Sequence, residues 1–216
     1  MIRHYIMNYL PLTKFLNSDE YEYIVSIGNK CPTAMILREM NLYRESFPFD
    51  YVPTTPSLIL KYLQSQDDFY PERGIVRTND NVWFGHFDIH DNYNLTIETF
   101  KRRFERLFNM LQNKKKILFV YTSEADVYNE MNNRYNDNYK DLSLLVEYII
   151  ETYKYDDFKL LCIHTNKSFT DTPNIINHTI QVPDHYMSDD MSTHTETTWS
   201  PYRNALKNLL KEIFNL

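Results

Sequence analysis

Short, continuously apolar runs constrain the fold of this chain more than any other feature of its 216 residues. Each run has the length of a strand, and amphipathic helical patterns lie between the runs. Three runs lie within residues 21–27, 117–121 and 160–163, and residues 175–182, which mix apolar and polar side chains, are predicted to form a further strand. Strands without a polar face are buried on both sides, as in a parallel sheet covered by helices. We therefore predict an α/β fold, in which a single three-layer domain has a mostly parallel sheet flanked by helices on both faces.

Apolar side chains at helical spacing predict the helices. The clearest pattern repeats at i, i+4, i+7, i+8 and i+11, and consists of Phe100, Phe104, Leu107, Phe108 and Leu111. The other predicted helices cover residues 32–42, a segment that begins at Thr55, residues 142–153, and a C-terminal segment that begins at Pro201. These patterns leave the loops to polar segments.

Polar and turn-forming residues predict the remaining organisation. Strands 75–78 and 82–87 are expected to form a hairpin around Thr78–Asn81. Residues 1–20 are expected to be an N-terminal extension, and residues 184–199 an exposed loop. We expect one domain over residues 1–216.

Composition excludes several classes of function. The net charge of −6 argues against a nucleic-acid-binding protein. Two cysteines are too few for the disulfide framework of a secreted protein. No run approaches the roughly 20 apolar residues of a membrane span, and the N-terminus lacks the features of a signal peptide. We expect a cytoplasmic chain in a reducing compartment, while the sequence does not predict its oligomeric state.

The turn after the first predicted strand holds the main candidate for a reactive group. Gly28, one of only three glycines in the chain, lies in this turn. Pro32 favours the first helical position, which places Cys31 at the N-cap. The unpaired amides and the positive end of the helix then favour a thiolate, and Lys30 adds positive charge. Cys31 can equally be a small inert residue, because cysteine is often simply buried.

A cysteine nucleophile needs a base to take its proton. His86 and His90 both come after Cys31 along the chain, in the order that a cysteine–histidine enzyme of the papain type requires. Asp88 and Asp91 lie next to these histidines and can orient an imidazole if the loop folds back. All four residues are also typical of a polar loop without a catalytic role.

The same four residues invite comparison with a metal site. Two histidines and two carboxylates within six residues have the ligand types of a zinc centre. However, no distant third ligand is identifiable, and the spacing matches no strong template. We therefore predict neither a metal nor another cofactor.

Two segments together resemble a known family. Residues 26–38 (SIGNKCPTAMILR) fit the form S-[IL]-G-x-x-C-x-x-A-x-x-L-R, and residues 46–51 (SFPFDY) fit S-x-P-F-D-[WY]. This pattern resembles a family labelled papain-like cysteine peptidases, which occurs in bacteria and large DNA viruses. Residues 84–88 and 100–104 are similar to its histidine segment and its F-x-R-R helix.

The resemblance implies a cysteine-dependent hydrolase that acts on a peptide or another acyl substrate. Cys31 would attack a carbonyl, and His86 in preference to His90 would carry the proton. If the chain is viral, it would act in the host cytoplasm. Six residues of the matching segments are candidate substrate contacts: Gly28, Asn29, Lys30, Arg38, Asp50 and Tyr51. A papain-like fold also implies an antiparallel β domain after the cysteine helix, which conflicts with the parallel sheet predicted above.

The same strand–turn–helix unit permits a different function. A helix N-terminus binds phosphate groups, so a glycan-related transferase that uses a nucleotide sugar is the alternative. Lys30, Arg38 and Arg44 would then pair with phosphates, and Tyr51 or Trp83 would stack on a base or sugar. A single glycine is too little for the dinucleotide-binding pattern. A catalytically inactive binding module is the third possibility, so the sequence alone does not decide whether the chain is an enzyme.

Overall fold

Four parallel strands form the sheet in the computed structural model. The structure describes residues 15–28, 31–123, 139–181 and 201–216. The strands are β1 (Tyr23–Ser26), β2 (Ile117–Thr122), β3 (Phe158–Thr165) and β4 (Ile175–Ile180). They lie in the order β1-β2-β3-β4, and every neighbouring pair is parallel. The α/β fold with a parallel sheet is therefore confirmed.

Helices cover both faces of this sheet. They are α1 (Pro32–Glu39), α2 (Pro56–Gln64), α3 (Tyr93–Gln112), α4 (Tyr139–Tyr153) and α5 (Pro201–Phe214). Helices α2, α3 and α4 pack on one face, named here the three-helix face, whereas α1 and α5 pack on the other, the two-helix face. Neighbouring strand residues alternate between the faces, as Val25 and Ile24 do. Burial of both faces explains the apolar runs of β1, β2 and β3, whereas the edge strand β4 is only partly buried and also carries polar residues.

Helix α1 is shorter than its apolar pattern predicts. The prediction of residues 32–42 is wrong at its end, because the helix stops at Glu39. Asn41 adopts a left-handed conformation with φ 57°, and the Leu42 amide donates to the carbonyl of Leu37. This is a Schellman-type C-cap with asparagine in the position that glycine usually occupies.

The predicted hairpin is reduced to a turn. The amide of Thr78 donates to Val82, and Arg77 and Trp83 form one isolated antiparallel bridge. Neither flanking segment is a strand in the described residues. The pairing cannot extend because the chain turns again at once, with the amide of Phe87 donating to the carbonyl of Phe84. The side chain of Phe84 is fully buried in the core of the three-helix face.

Other predictions fall partly outside the described ranges. Residues 1–14 and the predicted loop at 184–199 are not described. Helix α2 begins as predicted, with the Thr55 hydroxyl accepting from the amide of Leu58 and Pro56 in the first turn. Within the described ranges, no helix is both long and apolar enough to cross a membrane.

Candidate functional site

The connection from β1 to α1 brings a helix N-terminus to the carboxyl end of the sheet. A Cβ atom at Gly28 would lie 1.9 Å from the hydroxyl oxygen of Thr33, so the close approach of strand and helix requires glycine. Thr33 is fully buried, and its hydroxyl hydrogen bonds to the hydroxyl of Thr122 at the end of β2. Ligands of open α/β sheets bind at this end of the strands.

Cys31 lies at the N-cap of α1, as the sequence predicts, and Pro32 is the first helical residue. The carbonyl of Cys31 accepts from the amide of Met35, so the first helical turn closes directly behind the cysteine. The side chain of Cys31 is half-buried and does not cap the helix. The first amides of a helix lack intrahelical acceptors and carry partial positive charge, and they lie next to this sulfur.

The Sγ atom of Cys31 lies 3.4 Å from the Nε2 atom of His86, although 55 residues separate the two along the chain. This is hydrogen-bonding distance for a thiol and an imidazole. His86 is exposed and lies on the tight turn between Phe84 and Phe87. Of the histidines named from the sequence, the structure thus brings His86 to the cysteine.

Two aromatic rings pack against the His86 imidazole. The centre of the Trp83 indole lies 5.4 Å from the centre of the imidazole, and the centre of the Tyr51 ring lies 6.2 Å from it. Both rings meet the imidazole edge to face. Among the described residues, no carboxylate or carboxamide hydrogen bonds to the ring of His86. Aromatic packing therefore sets the orientation of this imidazole within the described part of the chain.

The polar loop after His86 forms hydrogen bonds that lead into the start of α3. The carboxylate of Asp88 accepts from the amides of His90 and Asp91 and from the side chain of Asn92. These hydrogen bonds, the one from Asp91 above all, hold the pKa of Asp88 below its ordinary value. His90 lies beside Gly74, where a Cβ would be 3.5 Å from the histidine Nδ1 atom. The carboxylate of Asp88 thus accepts hydrogen bonds from its own loop, as in an Asx turn, and not from His86.

Asp50 is a buried carboxyl group close to the site. One of its oxygens accepts from the Phe47 amide at 2.6 Å, whereas the other has no hydrogen-bond partner. Burial raises the pKa of Asp50 to about 7, even though the Phe47 amide and three nearby guanidinium groups act in the opposite direction. Arg103 is one of these, and its Nη1 atom is also buried without a partner.

Tyr51 joins Asp50 to the reactive pair. Its backbone has φ 60°, a left-handed conformation that is rare for a residue with a large side chain. Burial raises the pKa of the Tyr51 phenol, and Arg38, Asp50 and Cys31 lie close enough to influence it. The guanidinium carbon of Arg38 lies over the rings of Tyr51 and Tyr43, 5.6 Å and 5.1 Å from their centres.

The sequence did not predict that Trp83 and Arg103 lie close to His86 or to the turn that carries it. From the sequence, Trp83 was predicted only to stack on a base or sugar. Arg103 was noted only as part of a helix similar to the family's F-x-R-R helix. Arg103 lies over the rings of Phe87 and Phe100, which places it beneath the turn that carries His86. The signal for Arg103 was present, because an arginine between phenylalanines at helical spacing falls on the buried side of α3.

The remaining predicted contacts are distributed unevenly. Gly28 and Arg38 lie on the same strand–turn–helix unit as Cys31, whereas Asn29 and Lys30 fall outside the described residues. Arg44 is exposed. In the described part of the chain, no group of three or more His, Cys, Asp or Glu side chains could hold a metal ion.

One comparison with known proteins gives a match. Residues 22–72 match the family model described as "Putative papain-like cysteine peptidase (DUF1796)". This is the family that the cysteine motif resembles. The match includes Cys31, Arg38, Asp50 and Tyr51, while His86 lies beyond it. No curated protein and no solved structure matches the chain.

The sheet beside this papain-like motif differs from the sheet that the papain fold implies. Every described strand pair is parallel. The described residues after α1 therefore do not form the antiparallel domain of a papain-like fold.

Proposed function

We propose that this chain is a cysteine-dependent hydrolase of peptide or related acyl bonds, with Cys31 as nucleophile and His86 as base. The observation that carries the proposal is the 3.4 Å contact between the Cys31 sulfur and His86 Nε2 at a helix N-terminus. The family match over residues 22–72 supports the same chemistry. A thiol beside an imidazole and a helix N-terminus has the environment of a reactive cysteine.

The reaction would proceed through an acyl-enzyme. His86 takes the proton of Cys31, and the sulfur attacks the carbonyl carbon, so that a C–S bond forms. The bond from carbon to the leaving amine then breaks, and the amine takes the proton from the imidazolium. A water molecule next gives a proton to His86 and attacks the thioester carbon. The C–S bond breaks, the acid is released, and the proton returns to Cys31.

Two features support stabilisation of the charges that this reaction creates. The amides in the first turn of α1 can donate to the oxygen of the tetrahedral intermediate, as in an oxyanion hole. Pro32 supplies no amide, so the amides of Cys31, Thr33 and Ala34 are the candidates. The rings of Trp83 and Tyr51 would hold the imidazole in the orientation that proton transfer needs.

The rate of alkylation by iodoacetamide, measured against pH, tests this proposal. Cys31 should react at mildly acidic pH, and the fully buried Cys162 provides an internal control in the same chain. His86→Ala should move the reaction of Cys31 to the alkaline range of an ordinary thiol, whereas His90→Ala should leave it unchanged. An alkaline profile in the unmodified protein, insensitive to His86→Ala, would contradict the proposal.

The transferase alternative makes a separate prediction. Binding of a nucleotide sugar, for example UDP-glucose, would raise the melting temperature and would be weakened by Arg38→Gln. A hydrolase of the kind proposed here should show no such protection. The two functions are therefore distinguished by one melting experiment beside the alkylation profile.

A further inference from the structure

The charge of Arg38 has no ion-pair partner in the described part of the chain. By contrast, Arg106 lies 2.6 Å from the carboxylate of Glu45, and Arg103 is half-buried over the rings of Phe87 and Phe100. Arg38 is exposed, and its guanidinium lies over the rings of Tyr43 and Tyr51 instead. A guanidinium held over aromatic rings by a cation–π contact keeps N–H groups that can donate to an anion.

Helical geometry directs Arg38 towards the reactive pair. Seven residues separate it from Cys31, which corresponds to about 700° of rotation and places both on nearly the same face of α1. The rise between them is roughly 10 Å, and side chains of a helix lean towards its N-terminus, which shortens the gap. Tyr51 lies between Arg38 and His86, with its ring against the guanidinium of the first and the imidazole of the second.

The charge balance around Cys31 favours an anionic substrate group. The cluster contains three guanidinium groups, those of Arg38, Arg103 and Arg106, and two carboxyl groups, those of Glu45 and Asp50. Asp50 is fully buried, so it cannot compensate an exposed cation by direct contact. Among the described residues, Arg38 is therefore the exposed member of this set that has no ion-pair partner.

We propose that Arg38 determines specificity by binding a carboxylate of the substrate, within about two residues of the carbonyl that Cys31 attacks. The substrate class is then an acidic peptide or another acyl compound that carries a carboxylate near the scissile bond. Arginine suits this task because its planar fork binds carboxylates through two parallel hydrogen bonds. This inference rests on the function proposed above, since it places the carboxylate relative to an attacked carbonyl.

Two alkylating probes of the same shape and different charge test the inference. N-iodoacetylglycine carries a carboxylate where N-iodoacetylglycinamide carries a neutral amide, and both react through the same carbon. In the native protein, the ratio of the two rates at Cys31 should exceed the ratio for free cysteine about fivefold at low salt. Arg38→Gln and Arg38→Met should each reduce it to the value for free cysteine.

Arg102→Gln is the matched control. Arg102 is also an exposed arginine, but it bonds to the hydroxyl of Thr99 on α3. Its loss should leave the ratio unchanged. Equal ratios in the native protein and in both Arg38 variants would overturn the inference. The neutral probe alone reports whether Cys31 is reactive at mildly acidic pH, so failure of the proposed function is recognised separately from failure of this one.

Discussion

The indole of Trp83 occupies the space beside Gly85, so that a Cβ atom at residue 85 would lie 1.8 Å from an indole carbon. The same indole packs against the imidazole of His86. We therefore expect Gly85→Ala to displace the indole and loosen the imidazole. The rate of Cys31 alkylation at mildly acidic pH should fall, because proton transfer depends on the position of that ring. The iodoacetamide profile measures this effect.

Gly74→Ala is the control for this substitution. Gly74 has φ 79°, so alanine at this position strains the backbone and should cost about 1 kcal/mol of stability. A Cβ at Gly74 would approach only His90, at ordinary contact distance. Its alkylation profile should match that of the native protein. If the two glycine variants behave alike, the proposed role of Trp83 is wrong.

Asp88 and His90 provide a second prediction. Because the carboxylate of Asp88 accepts from the amides of the loop that precedes α3, Asp88→Ala should lower the free energy of unfolding slightly. It should not change the alkylation profile of Cys31, and neither should His90→Gln. Urea unfolding and the iodoacetamide profile measure the two effects. A large loss of Cys31 reactivity in Asp88→Ala would instead restore Asp88 as the residue that orients His86.

Burial of Asp50 predicts how stability depends on pH. Because the pKa of Asp50 rises from 3.8 in the unfolded chain to about 7, the folded state binds more protons between these values. The free energy of unfolding should therefore fall as the pH rises from about 4 to about 7, and level off above that. The upper limit of this loss is about 4 kcal/mol. Asp50→Asn, which keeps an acceptor for the Phe47 amide, should flatten the slope.

Urea unfolding at pH 5 and pH 8 measures this slope. Asp67→Asn is the matched surface substitution, since Asp67 is an exposed carboxylate. If the native protein and Asp50→Asn lose the same stability between the two pH values, the carboxyl of Asp50 is not the group responsible.

Gly28→Ala tests the strand-to-helix connection. The new methyl group would overlap the buried side chain of Thr33 and disrupt its hydrogen bond to Thr122. We expect a loss of about 2 kcal/mol or more, roughly the cost of overpacking a buried site. Thermal or urea unfolding measures it. Thr122→Val, which removes the hydrogen bond without adding bulk, should cost less, and a larger effect for this variant would contradict the overlap as the cause.

Much of the fold could be predicted because its signals are local. Apolar runs predicted β1, β2 and β3, the segment 175–182 predicted β4, and Pro32 and Thr55 marked two helix starts. The end of α1 was missed because Asn41 takes the left-handed conformation without being glycine. The turn at Thr78–Asn81 was predicted correctly, but its two flanking strands were not, because the chain turns again at Phe84–Phe87 after one bridge.

The candidate site was less accessible to prediction. Cys31 and His86 were both named from the sequence, and the structure brings them together, while their catalytic roles stay predictions. The packing of Trp83 against His86 depends on the absence of a side chain at Gly85, which no pattern in a single sequence reports. Likewise, the burial of Asp50 beside Arg103 arises from a contact between segments more than 50 residues apart.

The two partners of the site belong to opposite layers of the molecule. Helix α1, which begins directly after Cys31, packs on the two-helix face, whereas the turn of His86 is anchored by Phe84 in the core of the three-helix face. Neither layer alone contains both groups, so a partly folded chain has a thiol without its imidazole. His86 would therefore activate the thiol of Cys31 only after both layers have packed together. The thiol would then not react with peptide bonds of the unfinished chain or of other proteins during folding.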